Sequence, residues 1–257
     1  MIALATLKGT PVKISQFLKF DIIVCALMMY GIAYVLVYWG EQYISSGLAS
    51  VIFAAMPFYA GILAHIFIRD EKLNIIKLLG IIIGFAGILI IFKDNLHVYG
   101  KYGIYGMLAN AAAPIFSASA AVIIKKRLSS FDTIALTGFQ MLVGAVCLLP
   151  LALILENPAE INFTYRATFA LIYLAIFGSA LTFVTYYRLI RVEGVTKMSL
   201  IAFVTPLVAI IIGRYFADEH LNAGMLIGGT LVATGIALVT GYYQLLYRKM
   251  NGRGSNR

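Results

Sequence analysis

Charged side chains are scarce in this chain: Asp, Glu, Lys and Arg make up 12% of 257 residues, against 61% apolar residues, and the mean hydropathy is +0.92. A soluble domain is nearer one quarter charged and half apolar, and a single core cannot hide the excess. The scarcity excludes a soluble enzyme, a nucleic-acid binder and a disordered chain, and it requires an integral membrane protein. Cysteine is nearly absent. Cys25 and Cys147 both fall in apolar runs, which argues against a disulfide framework and against a thiolate metal site. The histidines His65, His97 and His220 lie far apart at run ends, so no metal site is expected. Neither His-Glu-x-x-His, Gly-x-Ser-x-Gly nor a phosphate loop occurs, so a membrane-embedded enzyme lacks its nucleophile and metal cluster and no cofactor is expected. The start, Met1 to Leu7, is apolar but too short to span, and it lacks the basic region of a signal peptide.

What the chain does have is long apolar runs. They cover 20–38, 47–68, 75–92, 104–124, 133–155, 167–187, 198–216 and 221–246, and each is long enough for a transmembrane helix. Of the charged residues only Asp21, Lys77 and Arg214 fall inside them, each near an end. The loops alternate in charge. Sixteen basic residues, among them Lys8, Arg69, Lys72, Lys125, Arg191 and Lys197, fall on one side, and four, Lys93, Lys101, Arg166 and Arg214, on the other. Positive loops stay cytoplasmic, so the formal charge of +9 is an orientation signal. It predicts a multi-pass protein of the plasma (cytoplasmic) membrane with both termini inside and a cytoplasmic basic tail over 247–257.

The chain also repeats itself. Asp70-Glu71-x-Leu73-Asn74, Leu78, Gly80 and Gly87-Ile88 match Asp218-Glu219-x-Leu221-Asn222, Leu226, Gly228 and Gly235-Ile236 at an offset of 148. Upstream, at an offset of 149, Ser50, Ile52, Pro57, Ala60, Ile62 and Phe67 match Ser199, Ile201, Pro206, Ala209, Ile211 and Phe216, and Tyr38 matches Tyr187. The first three runs thus correspond to the last three, and because the first copy enters the membrane from the opposite side, the copies are inverted. Inverted repeats mark secondary transporters. At this offset Met1 aligns with Pro150, so the first-half partners of the fourth and most of the fifth run are not in the sequence. The expected fold is an all-α polytopic membrane protein, with eight transmembrane helices from a ten-helix inverted five-plus-five repeat lacking about the first two.

Two inverted units, each with a proline helix, then Glu-x-Leu, then a glycine-rich helix, resemble the EamA-type domains of the drug/metabolite transporter superfamily. Tyr43 to Ser50, Pro57 and Glu71-Lys72-Leu73 carry the first match; Pro206, Glu219-His220-Leu221 and Gly228 carry the second. The resemblance implies a partial first repeat over 1–93, with three spans, and a complete second repeat over 102–246, with five. It also implies a secondary transporter, an exporter of small organic metabolites or drugs working by alternating access. The alternatives are a scaffold or an inactive remnant of a shortened transporter.

No Asp or Glu lies mid-run, which argues against carboxylate-driven proton coupling. Neutral polar stripes remain. Tyr30, Tyr34 and Tyr38 recur at i, i+4 and i+8; Asn110, Pro114 and Ser117 share a face, as do Ser179, Thr182 and Tyr186. The substrate-cavity candidates are Tyr34, Tyr38, Tyr59, Asn110, Ser117, Thr182, Tyr186 and Thr205, on the runs that family cavities use by resemblance; the alternative is helix–helix packing. Pro57 and Pro206 each remove a backbone hydrogen bond mid-run and are candidate kinks or gates. Glu71 and Glu219 are expected to face the positive end of the helix each precedes. Gly80, Gly87, Gly228 and Gly235 are repeat-signature packing positions, with close packing inside one subunit or a homodimer through the glycine-rich helices as the two options. The expected partners are a small-molecule substrate and the lipid bilayer, and no nucleic acid.

Overall fold

The computed structural model describes residues 20–155, 164–216 and 223–241. Among the described residues these helices follow one another, with a 3-10 turn over Lys93–Asn95 after the fourth: α1 (Phe20–Gly40), α2 (Ser46–Phe53), α3 (Met56–Phe67), α4 (Ile75–Phe92), α5 (Gly103–Arg127), α6 (Thr133–Leu155), α7 (Tyr165–Glu193), α8 (Val195–Ser199), α9 (Ile201–Phe216) and α10 (Ala223–Thr240). Among the described residues there is no strand, and a single antiparallel bridge joins Ile44 to Val98. Polar side chains start the helices by covering free N–H groups. Ser45 Oγ accepts from Leu48 N at 3.2 Å, Asn74 Oδ1 from Lys77 N at 2.9 Å, Asp132 Oδ1 from Ala135 N at 2.9 Å and Thr164 Oγ1 from Ala167 N at 3.2 Å.

Seven described helices or helix pairs are long and apolar enough to cross a membrane. The seventh expected run, 198–216, is divided at Leu200 into α8 and α9, and α9 has 16 residues. At 1.5 Å per residue that is about 24 Å, short of a hydrocarbon core of about 30 Å. The corresponding run in the first copy is divided as well, at Ala54–Ala55 between α2 and α3. Pro57 therefore does not kink a continuous helix. It stands in the first turn of α3, where a missing N–H costs nothing. Pro206 does lie inside a helix, in the second turn of α9.

A further correspondence between the copies is conformational. α1 widens to a π-helical segment over Leu27–Ile32, and α7 does so over Leu174–Leu181. At the repeat offset of 149, residues 27–32 fall on 176–181, inside the second π segment. Ala33 N donates to Met28 O, five residues back. Thr182 Oγ1 donates to Phe177 O, also five back, at 2.6 Å.

The two copies are joined along α4 and α10, the most extensive helix pairing in the fold. The signature glycines make this seam. A Cβ on Gly80 would lie 2.8 Å from Gly235 O, and one on Gly235 would lie 2.4 Å from Gly80 O; a Cβ on Gly87 would lie 2.5 Å from Gly228 O, and one on Gly228 would lie 2.6 Å from Gly87 O. The backbones touch with no room for a side chain, and the first glycine of each copy meets the second glycine of the other. These faces are thus occupied inside one chain, while Ile75, Leu79 and Ile82 of α4 and Leu226 and Ile227 of α10 remain exposed. Around the seam Val51, Ile81, Ile88, Phe203 and Val232 form one buried cluster; a larger one joins α1, α3, α5, α6, α7 and α8 through Ile22, Met29, Ala60, Ala121, Leu136 and Tyr187.

Candidate functional site

The stripes of α1 and α5 face each other across a cavity of about 470 Å³. Tyr34, Val37, Tyr38 and Glu41 of α1, Ala49, Ser50 and Phe53 of α2, Asn110 and Ser117 of α5, and Ile201, Ala202, Thr205 and Pro206 of α9 line it. The volume suits a small organic molecule. The lining runs from Ser117, in the middle of α5, and Ile201, at the start of α9, to Glu41, which follows the last turn of α1. Tyr38 is 65% exposed and Glu41 is exposed, so the cavity opens at this end, away from the basic loops.

Towards the basic end, one turn before Tyr34 on α1, lies a chain of buried hydroxyls. Tyr30 OH lies 2.9 Å from Tyr187 OH, which donates to Gln140 Oε1 at 2.6 Å. All three side chains are buried, and the ring of Phe183 packs edge-on against Tyr30 at 4.8 Å. One turn further out, Arg191 donates to Phe131 O at 2.7 Å and Leu128 O at 3.2 Å, and Lys125 Nζ donates to Arg191 O. Replacing Tyr187 by phenylalanine is expected to leave Gln140 Oε1 and Tyr30 OH unpaired and to cost about 1–3 kcal/mol. Thermal unfolding of the purified protein in detergent checks this. Tyr59→Phe, at a half-buried side chain packed against the same cluster, should leave the midpoint in place.

For Glu71 one expectation is corrected. Its carboxylate does not serve α4, the helix it precedes, because Asn74 caps that helix. It reaches the other copy instead and accepts from Val195 N at 2.9 Å, Thr196 N at 3.1 Å and Thr196 Oγ1 at 3.3 Å. A carboxylate on the free N–H groups of α8 follows the same physics as a cap on its own helix, but it ties the α3–α4 loop to the α7–α8 junction. Gly194 makes room for it: φ is +94°, and a Cβ there would stand 2.7 Å from Glu71 Cδ. Glu219, its repeat partner, lies outside the described residues.

Of the eight cavity candidates the structure brings together Tyr34, Tyr38, Asn110, Ser117 and Thr205, with Pro206 beside them. Three belong elsewhere. Tyr59 packs against the buried cluster at the basic end, and Tyr186 is buried in the same cluster. Thr182 is exposed and spends its hydroxyl on the π segment of α7. No residue of α7 lines the cavity, so the expected contribution of the sixth run is corrected to α1, α2, α5 and α9. Pro57 is buried at the start of α3 and does not line the cavity either. The residues missed are Glu41, Ser50 and Phe53. Glu41 was legible as the next position of the tyrosine stripe, i+7 from Tyr34, and Ser50 as the repeat partner of Ser199.

A family model described as the EamA-like transporter family matches residues 1–93 and 104–241. A Bacillus subtilis protein named uncharacterized transporter YoaV is 28% identical over 88% of this chain and 76% of its own length. An uncharacterized transporter of Archaeoglobus fulgidus is 29% identical over 84% of this chain and 76% of its own length. A solved crystal structure shares the fold at a TM-score of 0.79 with 16% identity, covering 93% of this chain and 82% of the other. Apolar spanning helices, an inverted repeat and a mid-span cavity thus coincide with a match along nearly the whole sequence: the chain is a multi-pass membrane protein and belongs to the EamA-like transporter family.

Proposed function

We propose that this protein is a secondary transporter that exports a small organic solute across the plasma membrane by alternating access, with both termini in the cytoplasm. The observation that carries the reading is the asymmetry of the cavity. Its lining reaches exposed Glu41 at one end, and beyond the other end lie the buried bonds of Tyr30, Tyr187 and Gln140 and the Glu71 cap, which we read as its closure. Two inverted copies of one fold have two mirrored ways of packing, and exchanging them opens one end while closing the other. Taken with the sixteen-to-four split of basic residues, this conformation faces outward. The positions that exchange roles are readable from the repeat. Tyr187, 0% exposed in the closed end, pairs with Tyr38, 65% exposed in the open one.

The test is flux into proteoliposomes. Tyr34→Ala and Asn110→Ala are expected to lower the initial rate about tenfold or more, since each removes a wall of the site rather than a peripheral contact. Unchanged flux in both would remove the cavity from the pathway. A second reading, an inactive remnant or scaffold, is favoured by one observation: α7 buries no residue between Tyr165 and Leu181. Absence of flux for any solute in otherwise folded protein would select that reading.

A further inference from the structure

Three polar groups of the cavity lining are turned the same way. Ser50 Oγ donates to Ser46 O at 2.8 Å and Thr205 Oγ1 donates to Ile201 O at 2.9 Å, so both hydroxyls spend their proton on their own helix and keep lone pairs to offer. Asn110 does the same with its amide: Nδ2 donates to Val37 O at 3.4 Å, and Oδ1 has no partner although the residue is 0% exposed. Glu41 adds a carboxylate at the mouth.

The backbone repeats the pattern. Pro114 and Pro206 lie inside α5 and α9 and each stand four residues after a lining residue, namely Asn110 and Ala202. Proline has no N–H, so each of these two carbonyls loses the donor that a regular helix would give it. Spare carbonyls where membrane helices are interrupted are a way of meeting positive charge. At the start of α9 Phe203 N and Val204 N are both spent on Leu200 O, at 2.9 and 3.2 Å. Among the described residues none of the lining is basic. Tyr34, Tyr38 and Phe53 add ring faces, whose quadrupoles attract cations, and Ala33, Val37, Ala49 and Ile201 add apolar surface.

We propose that this cavity binds an organic ammonium ion, a small protonated amine with an aromatic or aliphatic body. The ammonium meets Glu41 at the mouth and the acceptors about Asn110 inside, and the body lies against Tyr34, Tyr38 and Phe53. An organic anion finds no counter-charge there. The proposal deepens the transporter reading and rests on the same cavity.

Three probes of nearly equal shape test it: 2-phenylethylamine, 2-phenylethanol and 3-phenylpropionate. Binding to the full chain in detergent is read from the fluorescence of Trp39, the only tryptophan in the sequence and the neighbour of Tyr38. The amine is expected to bind at least about tenfold tighter than the alcohol or the acid. Glu41→Gln, at an exposed position where folding is not at stake, is expected to weaken the amine severalfold and leave the alcohol unchanged. Equal binding of amine and acid, binding of none of the three, or an amine preference untouched by Glu41→Gln overturns the proposal. Flux of the same probes separates the two readings. Amine binding without flux leaves this proposal standing and sinks the transporter, whereas flux without preference among the three does the reverse.

Discussion

Gly235→Ala is expected to be among the most damaging single-methyl changes in the protein. The added Cβ would meet Gly80 O at 2.4 Å, Gly84 N at 2.7 Å and Gly84 Cα at 2.8 Å. All three are backbone atoms of α4, so no side chain can turn aside, and α10 must move off as a whole. Overpacking of this kind costs about 3 kcal/mol or more, which for a chain of this size lowers the melting midpoint by roughly 6–12 °C. In the membrane the loss is compounded, because close backbone contact and not hydrophobic burial holds such helices together. Gly229→Ala on the same helix is the comparison. There a Cβ meets only Leu207 Cδ2 at 3.4 Å, and alanine is the better helix former. Midpoints of the two variants, measured by heating in detergent and counting what remains monodisperse, should separate widely. Equal midpoints would mean that α4 and α10 are not in backbone contact.

Glu71→Ala is the second large effect. It strips the N–H groups of Val195 and Thr196 of their acceptor at a junction that also holds Gly194 at φ +94°. A charge-assisted cap of this kind is worth about 1–3 kcal/mol, and Glu71→Gln, left with one oxygen, should lose about half of it. The functional loss is expected to exceed the stability loss, because this contact joins the two copies at the closed end. Gly194→Ala gives an independent check. Its Cβ would occupy the space of Glu71 Cδ, 2.7 Å away, so the double variant should be less damaged than the sum of the singles. Strict additivity would show that the carboxylate does not sit against Gly194.

These two sites also show how far the sequence could be read. The glycines at 80, 87, 228 and 235 were recognisable from their spacing and their repetition, and helix pairing is what such spacing is for. That Gly80 meets Gly235 and Gly87 meets Gly228 was not readable, since antiparallel crossing of two copies is a property of their arrangement in space. Glu71 was legible as a cap because carboxylates belong at helix starts. Its helix was misread because the nearest free N–H groups along the chain were claimed by Asn74, and those that remained lie 124 residues away. Tyr34 and Tyr38 of α1 and Asn110 and Ser117 of α5 do come together in the lining, as a regular helical period keeps residues at i+4 and i+7 on one face, whereas Tyr30, inside the π segment, and Pro114 do not line it. The stripe of Ser179, Thr182 and Tyr186 failed for a definite reason. It crosses Leu174–Leu181, where the helix is not α, so counting in steps of 3.6 loses phase and Thr182 turns to its own backbone. The division of the proline runs at Ala54–Ala55 and Leu200 had no local mark, because alanine and leucine are good helix formers.

The two π-helical segments carry a consequence of their own. A π segment holds more residues in each turn than an α-helix does, so it stores spare chain within a span. Tyr38 and Tyr187 follow these segments by the same six residues, beyond Ile32 and Leu181. Letting one residue of either segment wind back into α-helix would turn everything beyond it by about 100° and shift it by about 1.5 Å. That would be enough to carry a tyrosine from one face of its helix to another. Each copy thus holds, at the same place, spare chain whose rewinding would re-aim the aromatic side chain six residues beyond it.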